Sequence, residues 1–313
     1  MYETNRTDPI EEGLFNTLLH GLFDFSPLAI CVSTTDSEAS RYVKVNDAYL
    51  RLVGRSREFL DARPMQSAGA VIDDARRARR QKLLATVGRY ELEEVEIRRA
   101  DGVILSTLIS AQRFVADGRA FDIEMIIDVT ERKRAEAALW RLAHIDSLTG
   151  LPNRGHFIDA LTAAVAQRSG GVLALAIIDI DFFKQINDNL GHLTGDGVLV
   201  EAASRLHGAV GQAGMVGRLG GDEFAVLVHD AADRRAVHRL FDEVGAVINN
   251  GAPLLAEAGG LRSTVTIGFA FMPDDAGDAD GLMRAADIAL YRGKRGGRAA
   301  VVAFRPEMEP RSS

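Results

Sequence analysis

Residues Arg218-Leu219-Gly220-Gly221-Asp222-Glu223-Phe224-Ala225-Val226-Leu227-Val228 set two glycines and two acids between apolar runs, with Met215-Val216 ahead of them. Runs of β-branched and aromatic residues around a short glycine-containing connection read as a β-hairpin. The glycines permit positive φ and leave the backbone open to close approach. Asp222 and Glu223 then stand at the tip, where adjacent carboxylates repel unless a cation shares them. By itself the stretch is equally an acid-rich solvated turn, because turns favour the same residues. A partner carboxylate and phosphate-binding groups elsewhere in the chain decide between the two.

Upstream, Val172 to Ile180 is a continuous apolar run, Val-Leu-Ala-Leu-Ala-Ile-Ile-Asp-Ile. It reads as a central strand buried on both faces, ending in Asp179 with Asp181 just beyond. Beside the hairpin, Asp179, Asp222 and Glu223 converge where open α/β sheets bind ligands. The plainer reading makes Asp179 and Asp181 strand-end or helix-capping acids. Oxygen-only ligands suit Mg²⁺ or Mn²⁺, and Mg²⁺ in turn suits phosphates. Two such ions ~4 Å apart stabilise both the attacking and the leaving oxygen of a phosphoryl displacement. No Gly-x-x-x-x-Gly-Lys-Ser/Thr segment occurs, which excludes a Walker phosphate loop.

Around these strands, helix spacing runs from about Arg154 to Arg168, from Gly195 to His207 after a Gly191-His192 break, near Arg234 to Asn249, and from Gly281 to Gly293. Strands are expected at Ser263 to Phe271 and Ala300 to Phe304. This alternation predicts an α/β domain of βαββαβ type over residues 146–305, followed by a tail over 306–313.

The first half reads differently. Residues 9–24 have helix spacing, and Pro27 stops them. Strands are expected at Leu28 to Ser33, Arg41 to Asn46, Tyr90 to Arg98, Val103 to Ala111 and Ile123 to Val129. Short helical pieces lie between Asp47 and Leu60, and a longer one from Asp73 to Val87. Asp101-Gly102 and Asp117-Gly118 are strong hairpin signals. The expected domains are an N-terminal helix over 1–22, an antiparallel sheet domain over 23–130 and a helical linker over 131–145. In the linker Ala135 and Leu142, and Ala138 and Ile145, are seven apart and form a short coiled-coil-like seam. An ordinary amphipathic linker fits the same residues.

At 313 residues the chain has room for about two domains. Its 47% hydrophobic and 26% charged content is that of a soluble globular protein. A net charge of −7 argues against nucleic acid as a partner and leaves no basic footprint for membranes. No apolar run approaches the ~20 residues of a membrane span. One cysteine, Cys31, permits no intramolecular disulfide and fits a reducing compartment. With no signal peptide at Met1 to Asn5, a cytoplasmic location is expected.

Residues 20–130 resemble a PAS domain. The likeness rests on Ser26-Pro27, on Val45-Asn46-Asp47-Ala48-Tyr49 followed by Leu52-Val53-Gly54, and on Asp128-Val129-Thr130-Glu131-Arg132. It implies a curved antiparallel sheet that holds a small ligand or dimerises as a sensor. The ligand is unknown. No histidine lies between His20 and His144, so a histidine-ligated haem is not expected. Cys31, on a strand, reads as a small buried core residue.

Residues 146–305 are similar to the GGDEF family of diguanylate cyclases. The matching blocks are Asp146 to Arg154, Asp179 to Lys184, Asn187-Asp188, Gly191-His192, Gly195-Asp196, Gly220 to Phe224, Thr266-Ile267-Gly268, Ala285 to Tyr291, Lys294 and Gly297-Arg298. The resemblance implies condensation of two GTP to cyclic di-GMP and pyrophosphate in a homodimer, under control of the PAS domain. Asp179, Asp222 and the backbone oxygen of Ile180 would be metal ligands, two ions per site. Asp222 would take the ribose proton, and Glu223 would add to the second metal. Asn187 and Asp196 would read the guanine edge, with His192 nearby, and Gly220 and Gly221 would make room for the nucleotide. Phe182, Phe183, Lys184, Lys294 and Arg298 would meet the phosphates. The resemblance leaves open a catalytically silent GTP-binding module or a dimerisation module.

One family feature is missing. Many members carry an Arg-x-x-Asp product-binding site, separated from the first glycine by five residues. Here those positions are Gly211-Gln212-Ala213-Gly214, so the bidentate grip of an arginine on product is lost. Product inhibition through that site is not expected.

Overall fold

A computed structural model describes residues 9–35, 40–65, 74–168, 170–231, 233–251, 254 and 263–309. Residues 1–8 of the expected N-terminal segment, Asp73 of the expected longer helix and residues 310–313 of the tail lie outside them. The chain folds as two compact units whose boundary falls between Ala137 and Ala138.

The first unit begins with α1 (Pro9–Asp24), then β1 (Ala29–Thr34), β2 (Tyr42–Val45), α2 (Asp47–Val53), α3 (Arg57–Asp61), α4 (Asp74–Thr86), β3 (Arg89–Arg98), β4 (Ile104–Ala116) and β5 (Arg119–Asp128). The five strands form one sheet in the order β2-β1-β5-β4-β3, and every pairing is antiparallel. Alternate strand residues such as Cys31, Val95, Ile97, Ile109 and Ile126 pack beneath Tyr49, Val53, Leu60 and Leu84. Asn46, fully buried, explains why its stretch reads so distinctly. Its Oδ1 caps α2 through Tyr49 N at 2.9 Å and also accepts from Ile30 N at 3.0 Å. Its Nδ2 donates to Leu28 O at 2.8 Å. One short amide thus ties helix start to strand start.

The Asp128-Val129-Thr130 stretch has an equally local cause. It opens α5 (Thr130–His144), where Asp128 Oδ1 accepts from Thr130 N at 2.8 Å. Thr130 Oγ1 accepts from Ser106 N on β4 at 2.9 Å. Ile145 leaves the helix to bridge Pro152, so the expected heptad seam stops one residue short. Leu139, Trp140 and Leu142 of α5 are half-exposed or more.

The second unit continues with α6 (Arg154–Gln167), β6 (Val172–Ile180), α7 (Phe183–Leu190), α8 (His192–Val210), β7 (Met215–Gly220), β8 (Glu223–Ala231), α9 (Arg234–Asn249), β9 (Val265–Met272), α10 (Ala279–Arg295) and β10 (Val301–Ala303). Its sheet order is β10-β9-β6-β8-β7, with β6 at the centre. The expected βαββαβ core is β6-α8-β7-β8-α9-β9, and α10-β10 extends it. Two expectations need correcting. Residues 183–190 form a helix of their own, and α8 starts at His192, because Gly191 at φ 84° ends one helix and opens the next. The sheet is also largely antiparallel, β10 on β9 being its parallel pair. The unbroken apolar run of β6 reports helices on both faces rather than parallel neighbours.

Strand periodicity then sorts β6 between two cores. Ala174, Ala176, Ile178 and Ile180 face Val198 and Leu206 of α8 and Phe241 of α9. Leu173, Leu175 and Ile177 face Phe157 and Leu161 of α6 and Leu282, Ala286 and Leu290 of α10. Asp179 has the odd parity, so it points to the α10 side.

Close approach of α10 to the sheet depends on Gly268. A Cβ there would lie 2.0 Å from Leu290 N and 2.4 Å from Ala286 O, both backbone atoms that cannot swing aside. Gly268→Ala should destabilise the second unit by about 1–3 kcal/mol or more. Calorimetry of the full chain would register this as a fall in that unit's transition, and an unchanged transition would contradict the packing.

Candidate active site

The site lies where β6 and the β7–β8 hairpin end together. Asp179 and Glu223 are register partners across the β6–β8 ladder, and Ile180 N donates to Asp222 O at 3.3 Å. The turn needs its glycines: Gly220 has φ 140° and Gly221 φ 53°. A staple unforeseen from the sequence holds it. Arg218 donates through Nη2 to Gly221 O at 2.7 Å and through Nη1 to Asp146 Oδ1 at 3.0 Å. Asp146 Oδ1 also accepts from Thr149 Oγ1 at 2.6 Å. Burial works against that carboxylate, yet the bonds from Thr149 and Arg218 hold it below the usual range. The Asp146 to Asn153 block is therefore a brace for the hairpin.

Asp179 is only 7% exposed. Burial, together with the charges of Asp222 and Glu223, pushes its carboxyl above the ordinary carboxylate range against the opposing pull of Lys294. Lys294 Nζ, from the last turn of α10, stands 2.6 Å from Asp179 Oδ2. The face parity of β6 makes this pair possible. The expectation that Asp179, Asp222 and Glu223 converge needs qualifying. Among the described residues no three His, Cys, Asp or Glu side chains are grouped so as to hold a metal ion as they stand. Positive charge reaches Asp179 from Lys294 instead. The donor chemistry nonetheless fits a hard divalent cation, since all three groups are carboxylates and the charges of Asp222 and Glu223 raise the cost of ionising Asp179.

Asp181, for which the sequence allows either role, is structural. It is 2% exposed and accepts from Thr264 Oγ1 and Thr266 Oγ1, both at 2.7 Å, and from Ala299 N at 3.0 Å. Arg298 and Ala299, at φ 64° and 46°, and Phe182, at φ 61°, occupy the left-handed region. Such backbone costs roughly 1–2 kcal/mol per residue in ordinary side chains and persists where surroundings fix it. The Asp181 bond supplies that fixing for Ala299. It carries Arg298 to Phe182, whose half-exposed ring lies 4.6 Å from the guanidinium carbon. Phe183 is buried in the core, whereas Lys184 is exposed.

A second feature lies on α7 and α8. Among the described residues Asn187 Oδ1 is buried without a hydrogen-bond partner. A Cβ on Gly195 would sit 1.9 Å from that oxygen, so Gly195 is what leaves it room. An unpaired buried amide oxygen is costly and marks a place for a donor. Asp196, next to Gly195, is exposed, as is His192 at the start of α8.

Known proteins share both halves of this chain. The family model described as "Diguanylate cyclase, GGDEF domain" matches residues 143–300, and a PAS domain model matches 17–87. A signalling protein of Caulobacter vibrioides is 34% identical over 87% of this chain and 33% of its own length. Diguanylate cyclase TpbB of Pseudomonas aeruginosa is 40% identical over 56% of this chain and 41% of its own. This chain thus spans less than half the length of either relative. Among solved structures, the coiled coil and GGDEF domain of DgcB from Caulobacter crescentus, in complex with c-di-GMP, is 34% identical. It covers 55% of this chain and 92% of that one, with a TM-score of 0.51. Among the described residues no helix is long and apolar enough to cross a membrane.

The raised pKa of Asp179 has a definite sign. Folding favours its protonated form, so its ionisation costs stability as pH rises from the ordinary carboxylate range through the raised value. Asp179→Asn removes that cost. The melting temperature of the variant, relative to the parent chain, should therefore be more favourable at pH 7 than at pH 4. A difference independent of pH would contradict this environment for Asp179.

Proposed function

This chain belongs to the GGDEF family, and from that premise we propose that it is a diguanylate cyclase, condensing two GTP to cyclic di-GMP and pyrophosphate. The carrying observation is the buried Asp179 beside Lys294, in ladder register with Glu223 and within the field of Asp222. A strand end that concentrates carboxylates in low dielectric and keeps a cation beside them is suited to phosphoryl chemistry.

In this reading Asp179, Asp222 and the carbonyl of Ile180 hold Mg²⁺ or Mn²⁺, with Glu223 at a second ion. The metal supplies Lewis acidity toward phosphate oxygens when bound. The chain's own groups do the rest. Asp222 accepts the proton of one ribose 3′-hydroxyl as its oxygen bonds to the α-phosphorus of the other nucleotide, and pyrophosphate leaves. Lys294, Arg298 and Lys184 offset phosphate charge. Asn187, through its unpaired Oδ1, and Asp196 accept hydrogen bonds from the guanine edge, and a base without those donors leaves them unpaired. His192 lies near the same edge. Two chains are needed, since each nucleotide attacks the other, and the exposed Leu139, Trp140 and Leu142 of α5 support pairing as a homodimer. The PAS domain would set how often two catalytic units meet.

Incubation of the chain with GTP and Mg²⁺ should yield cyclic di-GMP, and Asp222→Ala should lower the rate by at least ~100-fold. Full activity in that variant would remove Asp222 from its role. GTP binding without any product would favour the silent module.

Gly211–Ala213 form an exposed 3-10 turn followed by a partly buried Gly214, and none of these positions carries a side-chain charge. Added cyclic di-GMP should therefore leave the initial rate unchanged at micromolar concentrations. Tight binding of two product molecules per domain, with inhibition, would overturn this.

A further inference from the structure

The first unit contains a cavity of about 350 Å³, enclosed by its sheet and α4. That volume lies at the lower end of the ~300–1,000 Å³ typical of small-molecule sites. Its apolar wall includes Val53, Leu84, Ile97, Ile109 and Ile126. Arg80 of α4 also lines it, and this residue is 5% exposed. Among the described residues the Arg80 Nη1 has no hydrogen-bond partner. A buried guanidinium nitrogen without a hydrogen-bond partner is costly, and because Arg80 lines the cavity an acceptor seated there would offset that cost.

The neighbouring charges say what kind of acceptor. Three arginines, Arg77, Arg80 and Arg113, line the cavity against two carboxylates, Asp122 and Glu124. Arg113 and Asp122 satisfy each other through two bonds of 2.8 Å. Glu124 accepts from Cys31 Sγ at 3.6 Å, and burial pushes its carboxyl above the usual range. That leaves Arg80 and Arg77 against the single carboxylate of Glu124, an excess of one positive charge, which favours an anion. The same Glu124 limits that anion's charge: a dianion would meet its repulsion, while one negative charge suffices for the fork of Arg80. Tyr42 and Tyr49, joined through their hydroxyls at 2.7 Å, add aromatic surface for the body of such a molecule.

We propose that this cavity is a binding site for a small monocarboxylate with a compact apolar or aromatic body, its carboxylate gripped by Arg80 and its body against the Val53–Ile109–Ile126 wall. The site lies wholly within the first unit, so the proposal stands or falls independently of the cyclase reading.

The full chain is the material for the test. A solvent extract of the purified protein is examined by mass spectrometry, and the protein is titrated calorimetrically with benzoate and hexanoate. Benzyl alcohol, hexanol and phenyl phosphate serve as neutral and dianionic counterparts. The expected result is a stoichiometric carboxylate in the extract, or saturable binding of benzoate or hexanoate at one site per chain. That binding should be at least about tenfold tighter than the alcohols and phenyl phosphate. Arg80→Gln should weaken it by at least about tenfold, and Arg80→Lys by less. The ranking of ligands on the parent chain remains decisive even where a variant fails to fold. Equal or tighter binding of the alcohols or of phenyl phosphate would overturn the proposal. So would an extract holding a neutral, cationic or phosphorylated molecule, or an empty extract with no binding of either carboxylate.

Discussion

A carboxylate buried among apolar side chains must be neutralised or hydrogen-bonded, and β6 ends in two of them. The strand is covered by helices on both faces, so Asp179 and Asp181 have little water to turn to. They meet the requirement in opposite ways. Asp181 takes donors from Thr264, Thr266 and the backbone of Ala299, and becomes a fixed joint between β6, the start of β9 and the loop before β10. Asp179 takes a single ammonium, from Lys294, and keeps two more acids close by. One carboxylate is committed to architecture, and the other is left under electrostatic stress beside solvent.

The geometry around that stress is held from several directions. Arg218 binds the hairpin carbonyl at Gly221 and the Asp146 brace together, so the tip cannot drift from the end of β6. Asp181 holds the backbone of Ala299, and with it Arg298 over Phe182. Gly268 lets α10 come down on the sheet far enough for Lys294 to reach Asp179. The supporting groups are buried or doubly bonded, whereas Lys184, His192, Asp196 and Arg298 are exposed. Rigid support with open reactive ends is the arrangement preorganised sites require.

The two units handle buried charge differently. In the PAS unit Arg113 and Asp122 close on each other as a forked pair, whereas among the described residues the Nη1 of Arg80, which lines the same cavity, has no hydrogen-bond partner. In the second unit the buried charge is Asp179, paired with Lys294 and close to Asp222 and Glu223.

Much of the fold was legible in the sequence because it rests on local signals: glycine turns, alternating strands and the buried run of β6. The acids of the hairpin and Asp179 were legible for the same reason, as charges where only apolar residues were expected. The helix α7 and the antiparallel pairing of β6 were not legible, because periodicity reports which faces are buried and not by what. Nor was the division of labour between Asp179 and Asp181, two residues apart on one strand end. The sequence by itself determined two domains, most of their elements and the candidate acids Asp179, Asp222 and Glu223. Only the tertiary structure decided that Asp179 faces α10 and Lys294, that Asp181 is saturated, that Arg218 staples the hairpin and that, among the described residues, the Arg80 Nη1 has no hydrogen-bond partner. Those outcomes depend on donors brought from residues far apart in the chain, and distance along a sequence carries no record of which of them will meet.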